Sequence, residues 1–544
     1  MTQPGVIYVT MEPQPGLQAE RFHEWYNNEH GPTRLKLPWI FNSGIRYRAV
    51  DDQKPTFLAV YDLMSMSHLE TETYTSLRAN RSSREAEVIG QVDVTRYFWD
   101  LVLSRQSPEF RDVKQLTDDE AEGRVLIAVQ LQPKDTEGAE AEILKWYEEE
   151  HITMISKVPG WLRTRVFKTS SLEKGVPPSF LALGEFSKEN GLGGLEYKAA
   201  AATARAKDIT GKYASVISRR KYELFYVFGD GPRDLYNLSQ LPAKSSTFSS
   251  ADSTTATSNT SGPCIESFVT TLDGLTIPYR LEGNPDPKAP TIAFCNSLLT
   301  SLHMWDRFVD ILKEQRPQYR LIRYDSRGRH SLSSTQPSPP IPSTMEMLAD
   351  DLNYLLDALR ISKLNTLIGV SVGGATSLKF ALKFLEKLDK FIACDFNVTS
   401  SESNTAAWKD RIVVAETPLE DSSPGIRKLG QQTVERWFHP ATMEQQETVA
   451  WIKDMVAEND IEGFRYGCQA LWDYDMKTEM RECKVPALLV VGEGDGKGAL
   501  VKAMNGFKDM LGEEGAELAV VPNAGHLPMC ENVKGFWAAV EKFL

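Results

Sequence analysis

The chain has 544 residues and a formal net charge of −13, with 41% hydrophobic and 25% charged residues. This length exceeds one ordinary hydrophobic core, so about two to four domains are expected. The acidic balance disfavours nucleic acid and anionic membrane surfaces as partners. The sequence also lacks the uninterrupted apolar stretch of about 18 residues that predicts a membrane span.

The first residues show neither the basic nor the apolar region of a signal peptide. Six cysteines are scattered without C-x-x-C pairs, and the eight histidines show no metal-ligand spacing. We therefore predict a cytoplasmic protein with reduced thiols, no metal site and no cofactor.

The N-terminal half repeats itself. The pattern W-Y-x-x-E-H at residues 25–30 recurs at residues 146–151, and a proline follows each copy at the same offset. Each copy predicts the order strand, helix, strand, strand, helix, strand, which is ferredoxin-like. One face of such a sheet needs a partner, and tandem copies at residues 1–115 and 116–235 can supply it. The prediction is one intramolecular α/β barrel whose facing sheets share a cavity.

A Ser/Thr-rich segment at residues 236–262 follows the repeats. It offers little apolar surface to bury, so its composition predicts a flexible linker.

Residues 263–544 alternate apolar strand patterns with helical patterns, which predicts a parallel sheet. The gap between the strands that end near residues 395 and 492 is too long for a simple crossover. It contains several helical patterns, so we predict a helical cap at about residues 400–482. The predicted strands cover residues 291–295, 319–324, 366–369, 390–395, 487–492 and 517–522.

A G-x-S-x-G motif at residues 369–373 lies between a predicted strand and a predicted helix. This context exposes the Ser371 hydroxyl on a tight turn, and Asp495 and His526 follow in the chain order of an α/β-hydrolase triad. Glu493 and Asp395 are rival acids at strand ends, but the turn of Asp495 has the usual position and length. A surface-loop role for His526 is the plainer alternative.

A tetrahedral oxyanion needs two preorganised N–H donors. One is expected from the backbone of Val372, directly after the nucleophile, and the other from the loop at residues 296–299.

At this level of detail residues 265–544 resemble the 3-oxoadipate enol-lactonases of aromatic-acid catabolism. The resemblance rests on short motifs at residues 279–283, 296–298, 303–306, 323–328, 408–411, 435–438 and 462–464, together with the serine motif. It implies hydrolysis of a small lactone or ester, with Leu298 and Val372 as oxyanion donors. The implied substrate contacts are Trp305, Trp408, Arg411 and Arg436.

Guanidinium groups can bind a carboxylate bidentately, although ordinary cap packing would also explain these residues. Two departures from the family pattern, at residues 328–331 and at Val372, predict a reshaped pocket and a different substrate.

The repeats resemble EthD-like dimeric α/β-barrel proteins through W-Y-x-x-E-H and the proline that follows. The resemblance implies an apolar ligand site and makes His30 and His151 candidates for a second, acid–base site. The same motif could instead be a structural helix end, with each histidine favouring the helix dipole.

Three hypotheses remain. The chain is a serine hydrolase with an accessory ligand-binding barrel, or a bifunctional enzyme whose barrel dehydrates, decarboxylates or cyclises a phenolic or polyketide metabolite, or a non-catalytic binding scaffold. The intact Ser371, Asp495 and His526 argue against the third. The expected partner is a small molecule, and the sequence leaves monomer and homodimer open.

Overall fold

The computed structural model describes residues 3–250 and 253–544. The chain divides into two compact units. The first comprises Met1–Pro232 with Phe248–Ser253, and the second comprises Arg233–Thr247 with Thr254–Leu544. No helix in the described ranges combines the length and apolarity needed to cross a bilayer.

The first unit contains two copies of the order strand, helical segment, strand, strand, helical segment, strand. Its strands are β1 (Gly5–Pro13), β2 (Phe41–Ala49), β3 (Phe57–Leu63), β4 (Val92–Gln106), β5 (Val125–Pro133), β6 (Trp161–Thr169), β7 (Phe180–Phe186) and β8 (Ala214–Val227). Its helical segments are Ala19–Trp25, Tyr26–His30, Gly31–Leu35, Met66–Glu70, Glu72–Ala79, Ser83–Ile89, Val113–Gln115, Asp118–Ala121, Ala139–Trp146, Tyr147–His151, Ile152–Ile155, Leu195–Ala202, Ala204–Asp208 and Ile209–Tyr213.

These strands form one closed antiparallel barrel in the order β1-β3-β2-β8-β5-β7-β6-β4. The two halves join edge to edge, through β2 with β8 and β4 with β6. Closure of this kind pairs every strand edge. The barrel interior is filled by apolar and aromatic side chains that include Tyr8, Trp99, Phe167 and Tyr222.

The predicted shared cavity between facing sheets is therefore wrong, because a small eight-stranded barrel is filled by its own inward side chains. His30 and His151 instead line two different cavities, one in each copy.

We expect residues 1–115 expressed alone to self-associate. That fragment would leave the edges of β2 and β4 without their partners β8 and β6 and would expose apolar side chains from the barrel interior. Size-exclusion chromatography with light scattering should show dimers or aggregates, whereas residues 1–235 should elute without such aggregation. A stable monomer of residues 1–115 would contradict this account of the barrel.

The second unit is built on a sheet in the order β18-β17-β16-β15-β13-β14-β12-β11-β10-β9. The strands are β9 (Ser245–Ser250), β10 (Ser253–Ser258), β11 (Cys264–Thr270), β12 (Thr276–Gly283), β13 (Thr291–Cys295), β14 (Arg320–Tyr324), β15 (Leu364–Val370), β16 (Leu388–Cys394), β17 (Ala487–Gly492) and β18 (Glu517–Val521). Neighbours from β14 through β13, β15, β16 and β17 to β18 pair in parallel. The six predicted strands correspond to β13–β18.

The helical segments of this unit lie between the strands and after the last one. They are Leu235–Ser239, Leu302–Trp305, Asp306–Gln315, Met345–Ala358, Val372–Lys383, Leu385–Lys387, Glu402–Glu416, Ile426–Trp437, Pro440–Met443, Gln446–Ala457, Ile461–Cys468, Gln469–Leu471, Glu479–Glu482, Asp495–Gly498, Ala499–Phe507, Lys508–Met510, Pro528–Glu531 and Val533–Val540. The helices from Glu402 to Leu471 fall between β16 and β17, in the range predicted for the cap.

The Ser/Thr-rich segment differs from the flexible linker that its composition predicts. It contains a short helix and the strands β9 and β10, and β10 pairs with β11. Hydroxyl groups link neighbouring strands here, with Thr255 Oγ1 and Ser267 Oγ 2.8 Å apart. Threonine is β-branched and favours strands, so low hydrophobicity alone was a poor guide.

Candidate active site

Ser371 lies in the turn between β15 and the helix Val372–Lys383, with φ 60° and ψ −122°. This backbone conformation is rare for a residue with a side chain and is typical of a strained nucleophile turn. The side chain is half-buried, and the backbone N–H donates to Cys394 O at 2.9 Å. The turn therefore holds the hydroxyl at the carboxyl end of the sheet.

Gly369 and Gly373 have to be glycines because neighbouring backbone atoms lie too close to allow a Cβ. A Cβ on Gly369 would lie 2.1 Å from Gly373 O, and a Cβ on Gly373 would lie 2.3 Å from Cys295 O. A side chain at Gly369 would collide with the start of the helix that follows Ser371, and one at Gly373 would push that helix away from the end of β13. The G-x-S-x-G spacing is thus explained by packing as well as by chemistry.

Asp495 and His526 follow β17 and β18, and the structure brings them together. His526 Nδ1 and Asp495 Oδ2 are 2.8 Å apart, and both side chains are largely buried. The His526 ring also packs on Trp437, with centroids 5.1 Å apart, and the His526 backbone N–H donates to Trp437 O. The aspartate and the tryptophan together restrict the imidazole to one orientation. The described residues include no hydrogen bond between Ser371 and His526.

Asp395, one of the rival acids, lies at the end of β16 beside this pair. Single side-chain atoms of Asp395, Asp495 and His526 all lie within 4.8 Å of one another. Asp395 Oδ1 accepts a hydrogen bond from Gly492 N at 2.8 Å, while Oδ2 is buried without a partner. Burial, followed by the neighbouring charge of Asp495, raises the pKa of Asp395 well above its usual value. These forces favour the neutral form of Asp395.

Glu493, the other rival acid, accepts a hydrogen bond from the backbone N–H of Asn523 at 3.1 Å. Its contact is therefore with the loop that precedes His526, and the acid that accepts a hydrogen bond from the imidazole is Asp495.

Hydrogen bonds made by the Asn296 side chain fix the loop that follows β13. Asn296 Nδ2 donates to Tyr324 O at 2.8 Å, and Asn296 Oδ1 accepts from Trp305 Nε1 at 2.9 Å. Trp305 is 0% exposed, so the predicted substrate contact is wrong. Its indole is needed inside the core, where it fixes Asn296 and hence the loop.

The same loop is fixed at its far end. Leu299 has φ 71°, and its carbonyl accepts from Asn459 Nδ2 at 2.9 Å and Arg329 Nη1 at 3.2 Å. Leu298 and Val372, the predicted oxyanion donors, are both buried at the neighbouring turns. Arg329 belongs to the segment that departs from the enol-lactonase pattern, and the structure gives it this supporting role.

The predicted cap contacts lie on two helices. Trp408 and Arg411 share the helix Glu402–Glu416, with the guanidinium carbon 4.4 Å from the Trp408 ring centroid. Arg436 is on Ile426–Trp437 and reaches solvent, yet partial desolvation and the charge of Arg411 lower its pKa to about 10. Among the described residues neither arginine forms an ion pair. The guanidinium charge of Arg411 therefore acts on Arg436, and the carboxylates that act on the two arginines, Asp410 and Asp495, do so without a direct ion pair in the described part of the chain.

Trp437 and Asn459 were missed by the sequence analysis. Trp437 lies within the cap motif at residues 435–438, but nothing in its spacing connects it to His526. The sequence contains one indication of this contact, the glycine directly before His526. A Cβ on Gly525 would lie 2.0 Å from Trp437 O, so a side chain there would prevent the contact. Only the folded chain shows that this glycine serves the contact.

Comparisons with known proteins find similar sequences for the second unit. Residues 290–413 match the alpha/beta hydrolase fold family. A stretch of 226 residues is 29% identical to 3-oxoadipate enol-lactonase 2 of Acinetobacter baylyi, covering 41% of this chain and 78% of that protein. A stretch of 223 residues is 26% identical to the putative carbamate hydrolase RutD of Pantoea ananatis, covering 40% and 75%.

Among solved structures, an enol-lactonase from Burkholderia xenovorans is 29% identical and has a TM-score of 0.42. The match covers 49% of this chain and 96% of that one. The family and sequence matches support a hydrolase of the α/β type in this chain, related to enol-lactonases and carbamate hydrolases.

Proposed function

We propose that the chain is a serine hydrolase that opens a small lactone or cleaves a small ester carrying a carboxylate group. The observation that carries the proposal is the Asp495–His526 hydrogen bond beside the strained turn of Ser371. All three residues follow parallel strands of one sheet, where the carboxyl ends of the strands meet.

The chemistry follows from the order of proton transfers. Ser371 Oγ attacks the carbonyl carbon while His526 Nε2 takes its proton, and Asp495 stabilises the resulting imidazolium. The N–H groups of Leu298 and Val372 hold the oxyanion. The C–O bond to the leaving oxygen then breaks, and that oxygen takes the proton from His526. Water attacks the acyl-enzyme by the same route and releases the acid and free Ser371.

The substrate carboxylate is inferred from the cap. Burial and then the charge of Arg411 lower the pKa of Arg436, and a bound carboxylate would offset both effects through charge-assisted hydrogen bonds. The named activities of the enol-lactonase relatives are consistent with such a substrate.

The test compares a γ-lactone bearing a carboxylate with p-nitrophenyl acetate, which has none. Arg411→Gln and Arg436→Gln should each raise KM for the carboxylate substrate about ten-fold, with little effect on the neutral ester. Arg427→Gln is the matched control, because Arg427 is an exposed arginine on the same helix as Arg436. Equal losses on both substrates would contradict a carboxylate-binding role.

The barrel is proposed to be an accessory ligand-binding unit of the EthD-like type. A second candidate, the bifunctional enzyme, is favoured by one observation. His30 Nδ1 and Glu85 Oε1 are 2.7 Å apart in a buried pair that could move a proton. Turnover of a phenolic polyketide by the full-length Ser371→Ala protein, and its loss in His30→Gln, would support this candidate.

A further inference from the structure

The second unit contains a cavity that is separate from the serine site. It encloses about 700 Å³ and is lined by the segment after β16, by the segment that returns from the cap to β17 and by the helix Ala499–Phe507. A volume of this size lies within the range of small-molecule sites. Ser371, Asp495 and His526 are not among the residues that line it.

Part of the cavity lining is apolar. Val398 and Phe507 are buried there, and Ala503 and Met510 lie beside them. The Phe507 ring packs edge-on against Phe396, with centroids 5.6 Å apart, so its position is fixed by the core. This part of the lining offers hydrocarbon surface to a short apolar chain.

The rest of the lining consists largely of side chains that donate hydrogen bonds. They are Asn397, Thr399, Lys477, Thr478 and Arg481. In the described part of the chain, neither the lysine nor the arginine forms an ion pair, and the side chains of the other three bond to no other residue. Arg481 Nη2 lies 3.3 Å from Met510 Sδ, which places the guanidinium beside the apolar surface.

None of the described residues that line the cavity is acidic. The acidic residues close by in the sequence have other partners. Asp475 Oδ1 accepts a hydrogen bond from Lys477 N at 2.8 Å, Glu479 pairs with Lys379 at 2.6 Å, and Asp509 pairs with the lysine before it. The cavity is therefore locally basic in a chain whose net charge is −13.

Gly506 keeps one side of the cavity open. It lies within the helix Ala499–Phe507, where glycine is less stable than alanine. Apart from its chain neighbours and its own helix backbone, no described atom lies within 4 Å of a Cβ built at this position. Packing does not require this glycine, and a side chain here would project into free space at the cavity.

We propose that this cavity binds a small organic anion, with a carboxylate or phosphate group at Lys477 and Arg481 and a short hydrocarbon chain against Phe507. Charge-assisted hydrogen bonds from a lysine and an arginine suit either head group. The neutral donors can bond the remaining oxygens, and the apolar lining selects an anion that carries a chain. This inference goes beyond the proposed hydrolysis and does not depend on it.

The test is isothermal titration calorimetry of the full-length protein with hexanoate and with hexyl phosphate. Hexylamine, which is cationic at pH 7, is the analogue of opposite charge. The variants are Lys477→Gln, Arg481→Gln and Gly506→Trp. Lys145→Gln and Gly211→Trp are matched controls, because both residues are exposed in the first unit and a Cβ on Gly211 also meets no atom within 4 Å.

The wild-type protein should bind at least one of the two anions with a Kd of about 1 mM or lower, and hexylamine at least about ten-fold more weakly. The tighter of the two anions identifies the head group. Each of the three variants should weaken its binding about ten-fold, and both controls should leave it unchanged. Raising the ionic strength should weaken binding, since the two cations are exposed to solvent.

Circular dichroism and thermal unfolding establish which variants fold, and if Gly506→Trp does not, the two charge variants decide. Binding of neither anion, equally tight binding of hexylamine, or unchanged binding in the folded variants would overturn the inference. The same titrations on Arg436→Gln exclude the cap as the binding site. Loss of binding in that variant, with full binding in Lys477→Gln and Arg481→Gln, would place the anion at the cap and would also overturn the inference.

Discussion

The Ser371→Ala protein should lose hydrolysis of esters and lactones, with kcat/KM lowered by roughly 10⁴-fold or more. The substitution removes the nucleophilic oxygen. It keeps Cβ, so the strained backbone at φ 60° is unchanged, and the half-buried side chain loses little packing. The melting temperature should therefore stay within about 2 °C of the wild type. Initial rates on p-nitrophenyl acetate and calorimetric unfolding measure the two effects.

A matched control is Ser377→Ala, a serine on the helix that follows the nucleophile turn. Its hydroxyl is buried and donates to Gly373 O at 2.9 Å, so this variant should lose stability and retain the chemistry. Near-wild-type turnover by Ser371→Ala would remove Ser371 from the mechanism.

The Asp495→Asn protein should show the second large effect, a fall in kcat of about 10⁴-fold. An asparagine at this position can donate to His526 Nδ1, which would leave the proton on Nε2, where the imidazole must accept one from Ser371. Asp395→Asn is the matched comparison, because Asp395 lies in the same cluster and was the rival acid.

Asp395→Asn should lower kcat by less than about ten-fold. Burial and Asp495 favour the neutral form of Asp395, which an amide resembles in size and charge. The amide oxygen can still accept the hydrogen bond from Gly492 N, and its N–H₂ can face Asp495. A large loss for Asp395→Asn with a small one for Asp495→Asn would reverse the assignment of the acid.

Much of the second unit could be predicted because its strands are buried on both faces and read as continuous apolar runs between turns. The glycines around Ser371 are close together in the sequence, so their motif could be recognised there, although Gly373 packs against Cys295 of a strand far away in the sequence. The partners of His526 are not local. Trp437 approaches the imidazole from a helix of the cap, and no periodicity in the chain encodes that contact.

Trp305 shows that recognising a family motif does not establish the role of each residue in it. The motif at residues 303–306 suggested a substrate contact, but the indole faces inward and binds Asn296. The strand pair β9–β10 shows the limit of composition, since serine and threonine can add strands to a sheet that already exists. The repeat in the first unit was visible in sequence, whereas the edge-to-edge closure that fills its interior was not.

The two barrel cavities differ for the same reason, which is that contacts between residues far apart in the chain cannot be read from a local motif. The repeated histidine is visible in the sequence, but its meaning depends on side chains far along the chain. Glu85 Oε1 lies 2.7 Å from His30 Nδ1, whereas Nδ1 of His151 is buried without a hydrogen-bond partner. Equal motifs therefore occupy unequal environments.

The central claim is that Ser371 is an activated nucleophile. The most direct measurement is mass spectrometry of the full-length protein after reaction with a fluorophosphonate, followed by peptide mapping. We predict one covalent adduct on Ser371, its absence in Ser371→Ala, and strongly slowed labelling in His526→Ala. An unlabelled wild type, or an adduct that persists in Ser371→Ala, would contradict the account.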